Sequence, residues 1–237
     1  MKEYSNTRYM NDHEAQEAII EIGKRMYLKG YVASNDGNIS IKVSPNEIWV
    51  TPTGVSKGYM THEMLVKLDL DGNIISGNNK PSSEIKMHLK VYKENPDAKA
   101  VTHAHPPIAT AFAVAGIPLD KPILPEAIIN LGAVPVARYA TPGTEEVPES
   151  IAPYCNSYNG VLLANHGALT WGKDIFEAYY RLESLEHYAT IMLYAYYIIG
   201  KVNELNSKQI SKLVEIKESY GIDIKDEFLI AKTNIRK

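Results

Sequence analysis

Cysteine is almost absent from this chain. Cys155 stands alone, so no intrachain disulfide can form, a disulfide-stapled scaffold is excluded and a reducing compartment is expected. No sign of charge dominates either: Lys and Arg number 25 against 28 Asp and Glu, a formal net charge of -3. No bulk basic field exists to draw nucleic acid or an anionic membrane. The longest apolar stretch, residues 189–199, is about half of the roughly 20 residues that cross a bilayer. Residues 1–10 are polar, without the apolar stretch of a secretory signal. These absences lead us to expect a cytoplasmic protein with neither nucleic-acid nor membrane partners. The glycine-rich signatures of dinucleotide and nucleoside triphosphate sites, G-x-G-x-x-G and the P-loop, are missing as well.

What is present is an ordinary globular composition, 45% apolar and 22% charged over 237 residues, enough to bury a full core as one domain spanning 1–237. Phenylalanine is scarce, three against 16 tyrosines. Apolar positions at helical spacing predict a helix over residues 12–29, ended by Gly30. Residues 39–43 and 47–51 read as strands around Ser44-Pro45-Asn46, and 65–69 and 74–75 as a hairpin around Asp71-Gly72-Asn73. A helix over 84–94 capped by Ser82 or Ser83, a strand over 100–105, a helix over 107–115 and strands over 134–138 and 160–163 follow. Asp174 with Glu177 three residues on opens a long helix to Ile199, stopped by Gly200, and a last helix runs over 207–220, closed by Gly221. The expected fold class is α/β, of the three-layer α+β type, with a central, mostly antiparallel sheet flanked by helices.

The sharpest chemical signal is His103-Ala104-His105. On a strand, residues i and i+2 share a face, so both imidazoles can address one metal. His166 is read at the end of a second apolar strand that closes on Gly167; converging on the first strand's end, it would add a third neutral nitrogen, leaving positions open for a substrate as catalytic zinc requires. Glu84, at the start of its helix, either complements the helix dipole or supplies a base or fourth ligand. Phosphate-binding groups are scattered through Asn35 and Asn38 in Ser34–Ser40, Thr53 and Gly54 in Thr51–Gly54, and Ser82 and Ser83. His88 backs either the site or the core. His187 is expected as a packing residue, His13 and His62 as exposed, and Tyr188, Tyr194, Tyr196 and Tyr197 as core or subunit interface.

In order along the chain, Gly-Asn-Ile-Ser, Thr-Pro-Thr-Gly, Pro-Ser-Ser-Glu, His-x-His and a late His-Gly resemble the class II aldolase/adducin family over about residues 12 to 225. The resemblance implies that His103, His105 and His166 ligate Zn²⁺ (Mn²⁺, Fe²⁺ and Co²⁺ suit the same donors). It makes Glu84 the acid/base that also approaches the metal, and Asn38, Thr53, Gly54, Ser82 and Ser83 a phosphate cradle, with Asn35 replacing a threonine of the family. It implies a homotetramer with sites between subunits, into which Tyr220 reaches from a neighbour, and a phosphorylated sugar as substrate. The expected reaction is cleavage of a ketose 1-phosphate to dihydroxyacetone phosphate and an aldehyde through a metal-stabilised enediolate. In residues 124–130, Glu126 or a neighbour stands where the family's fuculose-phosphate aldolases carry a tyrosine, so the aldehyde stays open. Alternatives are 4-epimerisation of ribulose 5-phosphate, cleavage of 5-deoxyribulose or methylthioribulose 1-phosphates, dehydration of the latter, decarboxylation of phosphorylated sugar acids, and a non-catalytic adducin-like module. Residues 223–237 extend past the family's usual end.

Overall fold

The computed structural model describes residues 9–220; Gly221 and the extension 223–237 lie outside them. Helix α1, Asp12–Leu28, starts at a reciprocal capping box. The Asn11 side chain accepts from Glu14 N–H at 2.9 Å and the Glu14 carboxylate accepts from Asn11 N–H at 2.8 Å. Strands β1 (Asn38–Lys42), β2 (Glu47–Val50), β3 (Val66–Asp69) and β4 (Ile74–Ser76) then form a meander, as the alternation and turn residues predict. After them come α2 (Ile85–Glu94), β5 (Ala100–Ala104), α3 (Pro107–Ala115), β6 (Val136–Ala137), α4 (Glu146–Ile151), β7 (Gly160–Leu163), β8 (Gly167–Gly172), α5 (Ile175–Met192) and α6 (Ser207–Ser219).

The eight strands make one sheet in the order β4-β3-β2-β1-β5-β8-β7-β6. Every pairing is antiparallel except β6 with β7. Because successive strand residues face opposite sides, the sheet feeds two cores. Ile39, Ile41, Leu162 and Ala168 pack on Ile19 and Ile22 of α1, Phe112 of α3 and Leu182 and Leu185 of α5. Ile48, Val50, Val101, Leu163 and Leu169 pack on Met87 and Val91 of α2 and Val147 and Ile151 of α4. The result is the expected three-layer α/β arrangement.

Several elements differ from expectation. β8 was not foreseen, because its Gly-Ala-Leu-Thr-Trp-Gly sequence begins and ends on glycine, which signals turns. Tight packing demands those glycines: a Cβ on Gly172 would come within 2.7 Å of Ala178 N. The strand expected over 134–138 shrinks to β6, since Pro135 has no N–H for the ladder. The long helix is real, but α5 gives way at Leu193–Ile199 to a π-helical stretch before Gly200. A second π-helical turn, Ala127–Leu131, packs through Ile128 on Ile210 of α6. His187 is exposed rather than packed. The tyrosine stripe divides: Tyr188 is buried and donates its hydroxyl to the Lys121 carbonyl, whereas Tyr194 and Tyr197 face outward. Among the described residues, no helix is long and apolar enough to cross a membrane.

Candidate metal centre

β5 lies in the sheet interior between β1 and β8 and ends at the site. His103 is on the strand, wholly buried, on the face shared with Val101 and α2. His105 stands just past the strand end, anchored by its N–H to the Tyr31 carbonyl at 2.9 Å. His166 sits in the tight turn between β7 and β8, not on a strand, with Asn165 before it in the left-handed region at φ 58°. The backbones meet closely here. A Cβ on Gly167 would fall 2.6 Å from both the Ala104 carbonyl oxygen and His105 Cδ2, and one on Gly37 2.8 Å from the His103 carbonyl oxygen.

The three rings converge, with centroids 4.9 Å (His103 and His105), 4.7 Å (His103 and His166) and 5.0 Å (His105 and His166) apart. One ligand nitrogen from each lies within 4.8 Å of the others. His103 Nε2 and His105 Nε2 are 3.1 Å apart. Glu84 completes the cluster, Oε2 at 3.4 Å from His103 Nε2 and Oε1 at 3.1 Å from His166 Nε2. The outer nitrogens are held away from the centre: His103 Nδ1 donates to the Ala168 carbonyl at 2.9 Å, and His105 Nδ1 lies 3.3 Å from Asp36 Oδ2. Such outer contacts fix the tautomer that turns Nε2 inward. Burial, with His103 and His166 alongside, depresses the His105 imidazole well below its usual range, which keeps it neutral and able to ligate. Burial pushes the Glu84 carboxyl up, but the facing His103 and His166 more than offset this and hold it well below the usual carboxylate range. The donor set therefore fits a divalent ion, with three imidazole nitrogens and one carboxylate.

A polar chain runs from the core to Glu84. Asn38 donates its amide to Glu84 Oε2 at 2.9 Å. Its carbonyl oxygen accepts from His88 Nε2 at 2.5 Å, His88 Nδ1 accepts from Ser40 Oγ at 2.7 Å, and Ser40 Oγ accepts from Tyr92 OH at 2.7 Å. Asn38 sets the direction, because only its amide end can donate to a carboxylate. Burial pushes His88 down to about 3, so it remains neutral and keeps one proton for Asn38.

Beside the centre is a cavity of about 130 Å³ lined by Asn35, Asp36, Asn38, Thr53, Gly54, Lys57, Ser82, Ser83, Glu84 and His105 among others. Its walls are zipped together by Thr53 N–H on the Lys80 carbonyl at 3.0 Å and Ser82 N–H on the Thr51 carbonyl at 3.1 Å. Ser82 Oγ accepts from Glu84 N–H at 3.3 Å, so Glu84 is the N-cap of α2 rather than part of its first turn. The Thr53 and Ser82 N–H groups are therefore spent on the wall, while among the described residues those of Gly54 and Ser83 carry no such bond. Lys57 is 1% exposed, and its ammonium donates to the Asn35 carbonyl at 2.8 Å and the Val55 carbonyl at 2.6 Å. Burial lowers it to about 8, against the opposing pull of Asp36 and Glu84.

The structure thus brings together His103, His105, His166 and Glu84, and gathers Asn35, Asn38, Thr53, Gly54, Ser82 and Ser83 beside them. Glu126 is exposed before the Ala127–Leu131 turn and does not line the cavity, and Tyr220 is exposed at the end of α6. Lys57, Asp36, Ser40 and Tyr92 were not foreseen. The spacing of His88 four residues after Glu84 is the one local signal for the chain behind Asn38.

Comparison with known proteins agrees with this geometry. The family model described as the class II aldolase and adducin N-terminal domain matches residues 17–193. A 3-oxo-tetronate 4-phosphate decarboxylase of Haemophilus influenzae is 34% identical over 187 residues, covering 77% of this chain and 88% of the relative. An L-fuculose phosphate aldolase of Methanococcus maripaludis is 39% identical over 175 residues, 73% of this chain and 92% of the relative. Among solved structures, YgbL of Klebsiella pneumoniae superposes with a TM-score of 0.80 at 30% identity, covering 86% of this chain and 99% of that one. An L-fuculose 1-phosphate aldolase gives 0.80 at 27% identity, covering 91% and 99%.

Proposed function

The chain belongs to the class II aldolase and adducin family, and from that membership we propose that it cleaves a ketose 1-phosphate of the L-fuculose 1-phosphate kind into dihydroxyacetone phosphate and an aldehyde. One observation carries the reading: Glu84 and His105 belong at once to the histidine cluster and to the wall of the cavity with its hydroxyls and Lys57. An adducin-like interaction module has no use for that adjacency.

His103, His105 and His166 would hold the divalent ion, zinc suiting three imidazoles best, with Mn²⁺, Fe²⁺ and Co²⁺ as alternatives. When bound, the ion supplies Lewis acidity toward the substrate's carbonyl and hydroxyl oxygens. Thr53, Gly54, Ser82, Ser83 and Asn35 hold the phosphate and fix the orientation of the reacting carbons. Glu84, ionised in the free protein, takes the proton from the hydroxymethyl carbon in condensation and returns it in cleavage. Asn38 steadies one Glu84 oxygen during that exchange. Tyr220 of a neighbouring chain serves as acid/base at the aldehyde oxygen. Its exposure at the end of α6 is compatible with that reach, and exposed Tyr194, Tyr197, Ile198 and Ile199 give a homotetramer apolar surface to bury.

A second reading has support of its own. Residues 124–130 carry no tyrosine, and the Haemophilus relative bears a decarboxylase name. Loss of CO₂ from a 3-oxo-tetronate 4-phosphate breaks the bond between carboxylate and hydroxyl-bearing carbon. After protonation it leaves the same dihydroxyacetone phosphate, and no base is then needed at an aldehyde oxygen. Supplying each substrate to the metal-loaded protein, with coupled detection of dihydroxyacetone phosphate and of CO₂, separates the two. Dihydroxyacetone phosphate without CO₂ from the ketose phosphate supports the aldolase, and CO₂ release with the oxo acid supports the decarboxylase. Absence of dihydroxyacetone phosphate from both overturns both readings.

A further inference from the structure

Away from the candidate centre, α1 meets the turn His62–Met64 at a second convergence of ligating side chains. His13 and Glu17 are four residues apart on α1 and so stand on one helix face. His62 opens the turn against that face; its ring centroid is 5.4 Å from that of His13. One ligand atom from each of His13, Glu17 and His62 lies within 4.8 Å of the other two.

The contact between Glu17 and His62 is the informative one. His62 Nε2 lies 2.7 Å from Glu17 Oε1 and is closed off from solvent, yet makes no aligned hydrogen bond with it. Two electron-pair donors this close, without a proton directed between them, are poorly placed as an ion pair. They can instead serve as two ligands of one cation, which with bonds of about 2.0 Å would draw them roughly 3.3 Å apart. Two imidazoles and a carboxylate are the donor set of zinc sites, too soft for Mg²⁺ or Ca²⁺, and the exposed side leaves room for water as a further ligand.

We propose that His13, Glu17 and His62 form a second divalent-metal site, for an ion of the zinc, cobalt or nickel class, separate from the histidine triad. Its role is to staple α1 to the segment that follows Lys57. That segment already presses on α1: a Cβ on Gly23 would come within 2.3 Å of the Met60 methyl and 2.6 Å of the Lys57 carbonyl oxygen. An ion at His62 therefore fastens, from the outer surface, the loop whose Lys57 enters the cavity.

Zinc counting on the full chain tests this. The protein is stripped with chelator, exposed to micromolar zinc, desalted and assayed by elemental analysis. The expected content is two zinc per wild-type chain, one in His62→Ala, one in His13→Gln, one in His103→Ala and none in the His62→Ala/His103→Ala double variant. In the His103→Ala background, zinc should raise the melting temperature, and His13→Gln should abolish the rise. One zinc per wild-type chain, unchanged in His62→Ala and His13→Gln, overturns the proposal and leaves a plain surface ion pair. One zinc lost with His62→Ala but not with His103→Ala would overturn the reading of the histidine triad while upholding this one. Circular dichroism of the stripped variants establishes that a lost ion is not a lost fold.

Discussion

Glu84 stands among three imidazoles with an Asn38 amide on one oxygen, so its charge is stabilised from both sides. Glu84→Gln keeps shape and size but cannot exchange a proton. We expect turnover to fall by about 100-fold or more with metal content unchanged, read by steady-state rate and elemental analysis of one preparation. Lys57 is the one lysine among the residues lining the cavity, facing its hydroxyls, amides and the carboxylates of Asp36 and Glu84. Since its ammonium is depressed to about 8, it is charged below that pH and neutral above it. Attraction for a phosphate dianion is then present at neutral pH and fades as pH climbs through about 8. KM of the wild type should rise over that range, whereas Lys57→Met should show a raised KM at neutral pH that no longer changes there. A merely structural lysine would alter kcat and KM alike, without that pH signature. The histidine pair was legible in the sequence because a strand's period of two sets His103 beside His105, even though His105 stands one residue past the end of β5. Lys57 was not legible, because its burial depends on closure of its loop onto the carbonyl of Asn35, which no local pattern encodes.

Helix α3 begins at Pro106-Pro107 with no cap from its own sequence. Glu186, on α5, supplies one: its carboxylate accepts from Ile108 N–H at 3.0 Å and Ala109 N–H at 2.7 Å. Glu186→Ala leaves both donors unpaired at a buried helix start, and should lower stability by about 2 kcal/mol in urea unfolding, from the usual cost of a lost cap. Helix starts were readable from the chain to within a residue or two where caps and apolar spacing agree, as in α1 and α5. The meander of β1 to β4 was readable from its turn residues. β8 was not, because its end glycines, chosen for close approach to α5 and to His105, imitate a turn. The same misreading put His166 at a strand end when it lies in the β7–β8 turn. The π-helical Ala127–Leu131 turn is shaped by packing against α6 and α5, which no local period records.

For the whole molecule, the unusual ratio of tyrosine to phenylalanine divides into hydroxyls that reach polar partners inside, as with Tyr92 and Tyr188, and rings left on the surface, as with Tyr194, Tyr197 and Tyr220. If a site joins Glu84 of one chain to Tyr220 of the next, two individually impaired variants should complement. Glu84→Gln and Tyr220→Phe, unfolded together and refolded, should regain a fraction of wild-type turnover that neither has alone. Sedimentation of the mixture should give a tetramer; a monomer, or no gain on mixing, would refute the shared site. Sequence could suggest this assembly only through resemblance, since no local spacing records which surface meets another chain. The position of β5 within the sheet has a further consequence, for time rather than geometry. Its backbone is paired to β1 on one side and β8 on the other, so no fraying edge exposes it. Amide protons along β5 should trade with deuterium only when the chain opens as a whole, which makes them the slowest clock in the molecule. His103, the one ligand carried on β5, would then keep its place through every local fluctuation and stand ready in the folded chain before any ion arrives.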